Sequence, residues 1–275
     1  IRNLFERITD EHTAPLLLLY GKSGVGKSSL LDAGLLPRLR QMSEVRYVRI
    51  SNEYTLLESL RQQLEEEDNG KSLKNLWQEK ERELGKAQVI ILDQLEGIYT
   101  EGNENREAEL EELLTKLKEV FQEVSDRPSG KLILSYRKEY HAEIEKACKG
   151  LQIPREQVYL PALARKDIME VVSGLSSTER LKRKYRLEVD ELLPTIIADD
   201  LLVDSHSSIA PVLQILLTKM WDLTEAEEKR HFSVENYNRL LKEGILLDDF
   251  FEQQTQKILL LHPDAENSGL SIDLL

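Results

Sequence analysis

Cysteine is almost absent. The 275 residues contain one, Cys148, so no disulfide framework exists, and no supporting nucleophile motif stands beside it. That usage suits a reducing, cytoplasmic location. Histidine is scarce too: the five, at positions 12, 141, 206, 231 and 262, lie too far apart for metal-ligand spacing. Basic residues are outnumbered, 37 against 50 acids, for a net charge of -13. A phosphate backbone demands a basic face, so the balance argues against broad nucleic-acid binding. No apolar run reaches membrane-spanning length, and no signal peptide, internal repeat or low-complexity tract is visible.

What is present is enough apolar residue, 40%, to build a core in one large or two modest domains. The chain opens on Ile1 and ends on Leu274-Leu275, which reads as a segment of a longer protein. Strand patterns at 16–20, 45–50, 89–93, 131–135 and 157–160 alternate with helical ones at 1–13, 21–41, about 57–64, 72–84, 110–124 and 138–148. Ser51 or Asn52 is placed to cap the third of these helices. This alternation predicts an α/β domain with a parallel sheet flanked by helices. After Pro161 only helices are expected, at 167–174, 179–184, 189–200 and 211–221. The expected organisation is therefore an α/β domain over 1–161, a helical unit over 162–230, and the start of a further unit over 231–275, of which 262–275 reads as loosely ordered.

The most specific stretch is Tyr20-Gly21-Lys22-Ser23-Gly24-Val25-Gly26-Lys27-Ser28-Ser29. It reads G-x-x-x-x-G-K-S between an apolar strand and a Leu-rich helix, the context that makes a phosphate-binding loop credible. Its glycines allow the backbone to approach phosphate oxygens, and its amides and the following helix start form an anion nest. Lys27 is expected on the β- and γ-phosphates of a nucleotide, and the Ser28 hydroxyl on Mg²⁺. Lys22, Ser23, Val25 and Ser29 complete the loop.

Asp93 ends the apolar run Val89-Ile90-Ile91-Leu92. An acid at the carboxyl end of a central strand can hold the Mg²⁺ hydration shell. Glu96 is a candidate to orient or deprotonate the attacking water, and equally a helix-start acid; Gln94 competes for the water-positioning role. Arg137 follows the Leu132-Ile133-Leu134 strand, where a planar, always-charged group can sense a γ-phosphate or pair with a surface carboxylate.

The loop, the run Ala33-Gly34-Leu35-Leu36-Pro37 and the segment Leu92-Asp93-Gln94-Leu95-Glu96 together resemble STAND NTPases, signal-transduction ATPases related to the AP-ATPase and NACHT groups. The match is strongest over the first hundred residues and extends to about residue 250. The resemblance implies a P-loop NTPase domain, a helical lid and a winged-helix unit beginning near Phe232. It also implies ATP/ADP as ligand, Arg137 as first sensor and Pro211, in Ser208-Ile209-Ala210-Pro211, against the adenine; a proline at a first helical turn is also favoured for its own sake. By the same resemblance, effector and sensing domains flank such cores, which self-associate on activation, often in antiviral defence or cell death. One departure stands out: the branch's D-Q-h-E-E motif has Gly97 in place of its last acid. Two other readings stay open. One is an AAA+-like remodelling motor, for which Arg165, Arg180 and Arg183 are available lid arginines; the other is a non-hydrolysing nucleotide-bound interaction platform.

Overall fold

The computed structural model describes residues 1–50, 53–64, 70–99, 106–203, 208–225 and 229–242. Contacts divide the chain into two compact units, Ile1–Pro161 and Ala162–Leu275.

In chain order the first unit contains α1 (Arg2–Thr9), β1 (Leu16–Gly21), the one-turn α2 (Lys27–Ser29), α3 (Leu36–Leu39), β2 (Glu44–Arg49), α4 (Leu56–Arg61), α5 (Leu73–Leu84), β3 (Gln88–Asp93), α6 (Arg106–Phe121), β4 (Leu132–Arg137), α7 (His141–Gly150) and β5 (Arg155–Tyr159). The five strands form one parallel sheet in the order β2-β3-β4-β1-β5. Central strands covered on both faces need apolar residues on both, and β1, β3 and β4 supply them. Leu16, Leu18, Ile90, Leu92, Leu132 and Leu134 face α4 to α7, packing with Leu60, Trp77, Leu113, Phe121 and Ile144. Leu17, Leu19, Val89, Ile91 and Ile133 face the other way, against Leu4, Ile8, Leu31, Leu35 and Leu39. Period-two alternation thus assigns the helices to opposite sides.

Local structure departs from the expected elements where chemistry intervenes. The helix expected over 21–41 is interrupted: Leu30–Leu35 form a wide turn in which the Leu36 amide donates five residues back, to Leu31 O. Pro37 has no amide for the residue four before it, and the widened turn absorbs that loss. Positions 51 and 52, expected to cap α4, lie outside the described residues. Thr55 caps it instead: its hydroxyl accepts from the Glu58 amide at 3.2 Å while the Glu58 carboxylate accepts from the Thr55 amide at 2.8 Å, a reciprocal capping box. Thr55→Ala should lower unfolding stability by about 1 kcal/mol; urea denaturation that leaves the midpoint unmoved would show that the cap contributes nothing.

The second unit contains α8 (Arg165–Gly174), α9 (Glu179–Tyr185), β6 (Leu187–Val189), α10 (Leu193–Val203), α11 (Ile209–Leu223), β7 (Arg230–Phe232) and α12 (Val234–Lys242). Its core joins Ile168, Val172, Ile197, Leu216, Met220, Phe232, Tyr237 and Leu240. The expectation of helices alone after Pro161 fails here, because β6 and β7 pair in parallel with Leu187 opposite Arg230. Each is three residues long, too short for an alternation to register. The helix expected over 189–200 begins only at Leu193, since 187–189 serve as strand. Phe232, Tyr237 and Leu240, assigned from sequence to a further unit, pack into this same core; residues 243–275, including the expected loose segment 262–275, lie outside the described residues.

Candidate nucleotide site

The carboxyl ends of β1, β3 and β4 converge on one edge of the sheet, where a doubly wound fold offers a ligand crevice. β1 delivers the loop. Gly21 pairs with Arg137 across the sheet, and a Cβ on Gly21 would stand 2.6 Å from Leu160 O, so the backbones approach closely only with glycine there. Gly24 and Gly26 hold φ of 70° and 93°, a left-handed conformation that side chains resist. Val25 closes over Gly21, while Lys22, Ser23 and Ser29 are exposed on the rim. Tyr20, at the loop entrance, stacks on His141 with ring centroids 3.7 Å apart.

Lys27 opens α2, with Gly26 as the preceding cap. Its ammonium donates to Gly21 O at 3.1 Å and Lys22 O at 3.2 Å, so it lies folded over its own loop. Burial lowers its pKa from the ordinary lysine value, against the pull of the nearby Glu96 and Asp93 carboxylates. Those two acids and Arg137 are thus gathered around the loop's lysine.

Ser28 and Asp93, far apart in sequence, meet: the Ser28 hydroxyl donates to Asp93 Oδ2 at 2.7 Å. Asp93 is fully buried, and its other oxygen, Oδ1, has no hydrogen-bond partner among the described residues. A buried carboxylate oxygen without a donor is costly, and it fits a hydrated divalent cation beside a phosphate tail. The donor set, a hydroxyl and a carboxylate, is hard oxygen, which suits Mg²⁺ held through one carboxylate and substrate phosphates. Among the described residues no cluster of three His, Cys, Asp or Glu forms a metal cage.

Glu96 and Arg137 also meet, in each other's grip. Arg137 Nε donates to Glu96 Oε1 at 3.1 Å, and the Arg137 amide donates to Oε2 at 3.2 Å. Arg137 is the last residue of β4 and stays half-exposed, whereas the Glu96 side chain is mostly covered. Gln94 lies between β3 and the turn that carries Glu96. It adopts φ of 62°, a strained left-handed geometry for a residue with a side chain. That bend turns the chain out of β3 into the short turn Leu95–Tyr99, and the Gln94 side chain points away from the interior. Gly97 lies against β2's exit: a Cβ there would come within 3.3 Å of Ile50 O, so a side chain at 97 needs that backbone to give by a few tenths of an ångström.

Two residues escaped the reading of the sequence. Tyr47 on β2 donates its hydroxyl to Asp93 Oδ2 at 2.7 Å. Burial, and then the Asp93 contact, push its pKa up to about 12, so the phenol keeps its proton. Ser135 on β4 is fully buried with an unpartnered hydroxyl. Tyr47's β-rich surroundings marked only a strand, whereas a polar Ser inside Leu132-Ile133-Leu134-Ser135 was a visible signal.

Pro211 belongs to the second unit. It occupies the first turn of α11 and is exposed, a place where its missing amide costs nothing. Arg165, in the same unit, is held bidentately by Asp199 at 2.5 and 3.0 Å; Arg180 and Arg183 are exposed on α9. No described helix is long and apolar enough to cross a membrane.

Solved structures share this architecture at low identity. The ORC1 protein of Aeropyrum pernix, solved in complex with DNA, superposes with a TM-score of 0.60 at 14% identity, over 100% of this chain and 70% of that one. The ORC2 protein of the same organism gives 0.52 in its ADP form, over 87% of this chain and 65% of that one, and 0.54 in its ADPNP–ADP complexes, over 87% and 64%, both at 14% identity. The chain thus spans somewhat less than two thirds of those ORC2 chains. No curated protein matches it. The sheet order and these likenesses identify the fold as that of a P-loop NTPase. Residues 1–247 match the family described as Novel STAND NTPase 1, so the chain belongs to that family of nucleotide-binding NTPases.

Proposed function

We propose that this chain is an ATP/ADP switch: the nucleotide-binding core of a multidomain signalling protein that hydrolyses ATP slowly in the presence of Mg²⁺. The observation that carries this reading is the pairing of Glu96 with Arg137. The candidate base and the candidate γ-phosphate sensor neutralise each other in the arrangement seen. A bound γ-phosphate competes with Glu96 for the Arg137 guanidinium, as planar, bidentate recognition favours. ADP cannot compete in that way. The chain therefore distinguishes the two nucleotides by a contact made in only one state, which is what a population switch requires. When bound, Mg²⁺ would neutralise charge on the β- and γ-oxygens. Ser28 and Asp93 would hold it, Lys27 would turn from its loop carbonyls to the phosphates, and the amides of Gly21 to Ser29 would cradle them. Glu96, once freed, stands ready to accept the proton of the attacking water.

The second unit serves as the lid in this reading, with Pro211 against the adenine. The ORC2 protein in its ADP form and in its ADPNP–ADP complexes supports an adenine nucleotide by analogy. Self-association on activation, flanking effector and sensing domains and a defence or cell-death role follow from the family resemblance alone, while a cytoplasmic site of action rests on the cysteine usage. Gly97 favours a second reading, a nucleotide-bound platform with no turnover at all. Turnover on the purified chain, together with the nucleotide that co-purifies, separates them. The switch predicts retained nucleotide and a rate below the ~1 s⁻¹ floor of ordinary enzymes. Fast unstimulated turnover would favour a motor, and none with Mg²⁺ present would favour the platform.

A further inference from the structure

We infer that Tyr47 is a positioning residue for the divalent cation: it fixes the Asp93 carboxylate so that Oδ1 is the oxygen left to face the ion's hydration shell. The inference rests on the nucleotide reading above and adds a residue that the phosphate-loop motif does not contain.

The geometry is a two-sided clamp. Asp93 Oδ2 accepts from Ser28 Oγ and from Tyr47 Oη, each at 2.7 Å, while Oδ1 accepts from none of the described residues. A carboxylate torsion is broad and roughly two-fold. With Ser28 alone as donor, the two oxygens could exchange places at little cost. A second donor on Oδ2, arriving from another element, removes that freedom. Tyr47 can supply it because β2 runs parallel beside β3, with Tyr47 opposite Ile91 and Arg49 opposite Asp93. Its side chain reaches diagonally toward the strand's end.

The phenol's single proton is given to Asp93 Oδ2, since an ionised carboxylate has acceptors and no donor. Two hydrogen bonds therefore tie together the loop's Ser28, Asp93 on β3 and Tyr47 on β2. Groups that orient a ligating side chain affect metal affinity strongly although they never touch the metal.

The test is a Mg²⁺ titration of radiolabelled-ATP retention by the chain, by Tyr47→Phe, by Asp93→Asn and by the double variant, with an EDTA arm and thermal midpoints for each. Tyr47→Phe keeps the ring and removes only the hydroxyl. It should raise the half-saturating Mg²⁺ concentration by about 10-fold. Its ATP affinity in EDTA and its thermal midpoint should match those of the unaltered chain. In the Asp93→Asn background the same change should add nothing, because the carboxylate it acts through is gone. An unshifted Mg²⁺ midpoint overturns the inference. So does an equal loss with and without Mg²⁺, or an undiminished effect in the Asp93→Asn background, since each makes Tyr47 merely structural. If the unaltered chain retains no ATP at any Mg²⁺ concentration, the nucleotide reading itself fails and takes this inference with it.

Discussion

Replacing Lys27 by alanine should weaken ATP binding by about 100-fold while leaving the thermal midpoint of the nucleotide-free chain nearly unchanged. The two halves of that expectation come from different parts of the structure. In the arrangement seen, the ammonium's partners among the described residues are Gly21 O and Lys22 O. The rim of the loop is exposed, so water can take over as donor and the fold loses little. With nucleotide bound, the same ammonium exchanges those carbonyls for phosphate oxygens. Charge-assisted hydrogen bonds are worth about 1.5–3 kcal/mol each, and roughly 2.7 kcal/mol corresponds to that 100-fold. The lowered lysine pKa reflects burial, which raises the worth of an anionic partner. Calorimetric titration with ATP checks the first half and thermal melting the second. An affinity within a few-fold of the unaltered chain would remove Lys27 from the site.

Glu96→Gln should cut ATP turnover by about 10²–10⁴-fold, the range typical of a lost general base, without weakening ATP binding. Glutamine keeps an acceptor oxygen for Arg137, but the ion pair is gone. Arg137 is then easier for a γ-phosphate to claim, so the preference for ATP over ADP should rise. Arg137→Ala should do the opposite, collapsing that preference while leaving ADP affinity intact. Single-turnover hydrolysis and competitive binding of the two nucleotides read both effects. If Glu96→Gln lowers turnover and ATP affinity in equal measure, Glu96 acts by holding the strand ends together and not as a base. The main-chain contact from the Arg137 amide to Glu96 is the structural reason that outcome has to be measured.

The loop and Asp93 were legible because their signals are contiguous. Glycine spacing, a Lys-Ser pair and a continuous apolar run each sit inside a window of ten residues or so, and backbone conformation and burial follow from such local patterns. The pairings around them were not. Tyr47 lies 46 residues from Asp93, and Glu96 lies 41 from Arg137; both contacts depend on which strands are neighbours and in what register. A parallel sheet fixes that order through its crossovers, and no periodicity reports it. The bend at Gln94 escaped notice because a left-handed glutamine is imposed by tertiary packing against its own preference. Pro37 was visible as a helix disturbance, but only the structure shows the disturbance displaced to Leu30–Leu35. The short pair β6 and β7 carries too few residues to imprint alternation. Cap assignment failed for a related reason: Thr55 and Glu58 form a capping box in a stretch where Ser51 and Asn52 offered equally good local chemistry.

Equilibrium dialysis of the chain against radiolabelled ATP with Mg²⁺, competed by unlabelled inorganic tripolyphosphate, reaches the central claim without depending on turnover, lid or partners. If the Gly21–Ser29 backbone, Lys27 and the Ser28–Asp93 pair hold a triphosphate, ATP binds at one per chain and excess tripolyphosphate displaces it. No bound ATP, or bound ATP that tripolyphosphate leaves in place, would contradict the account.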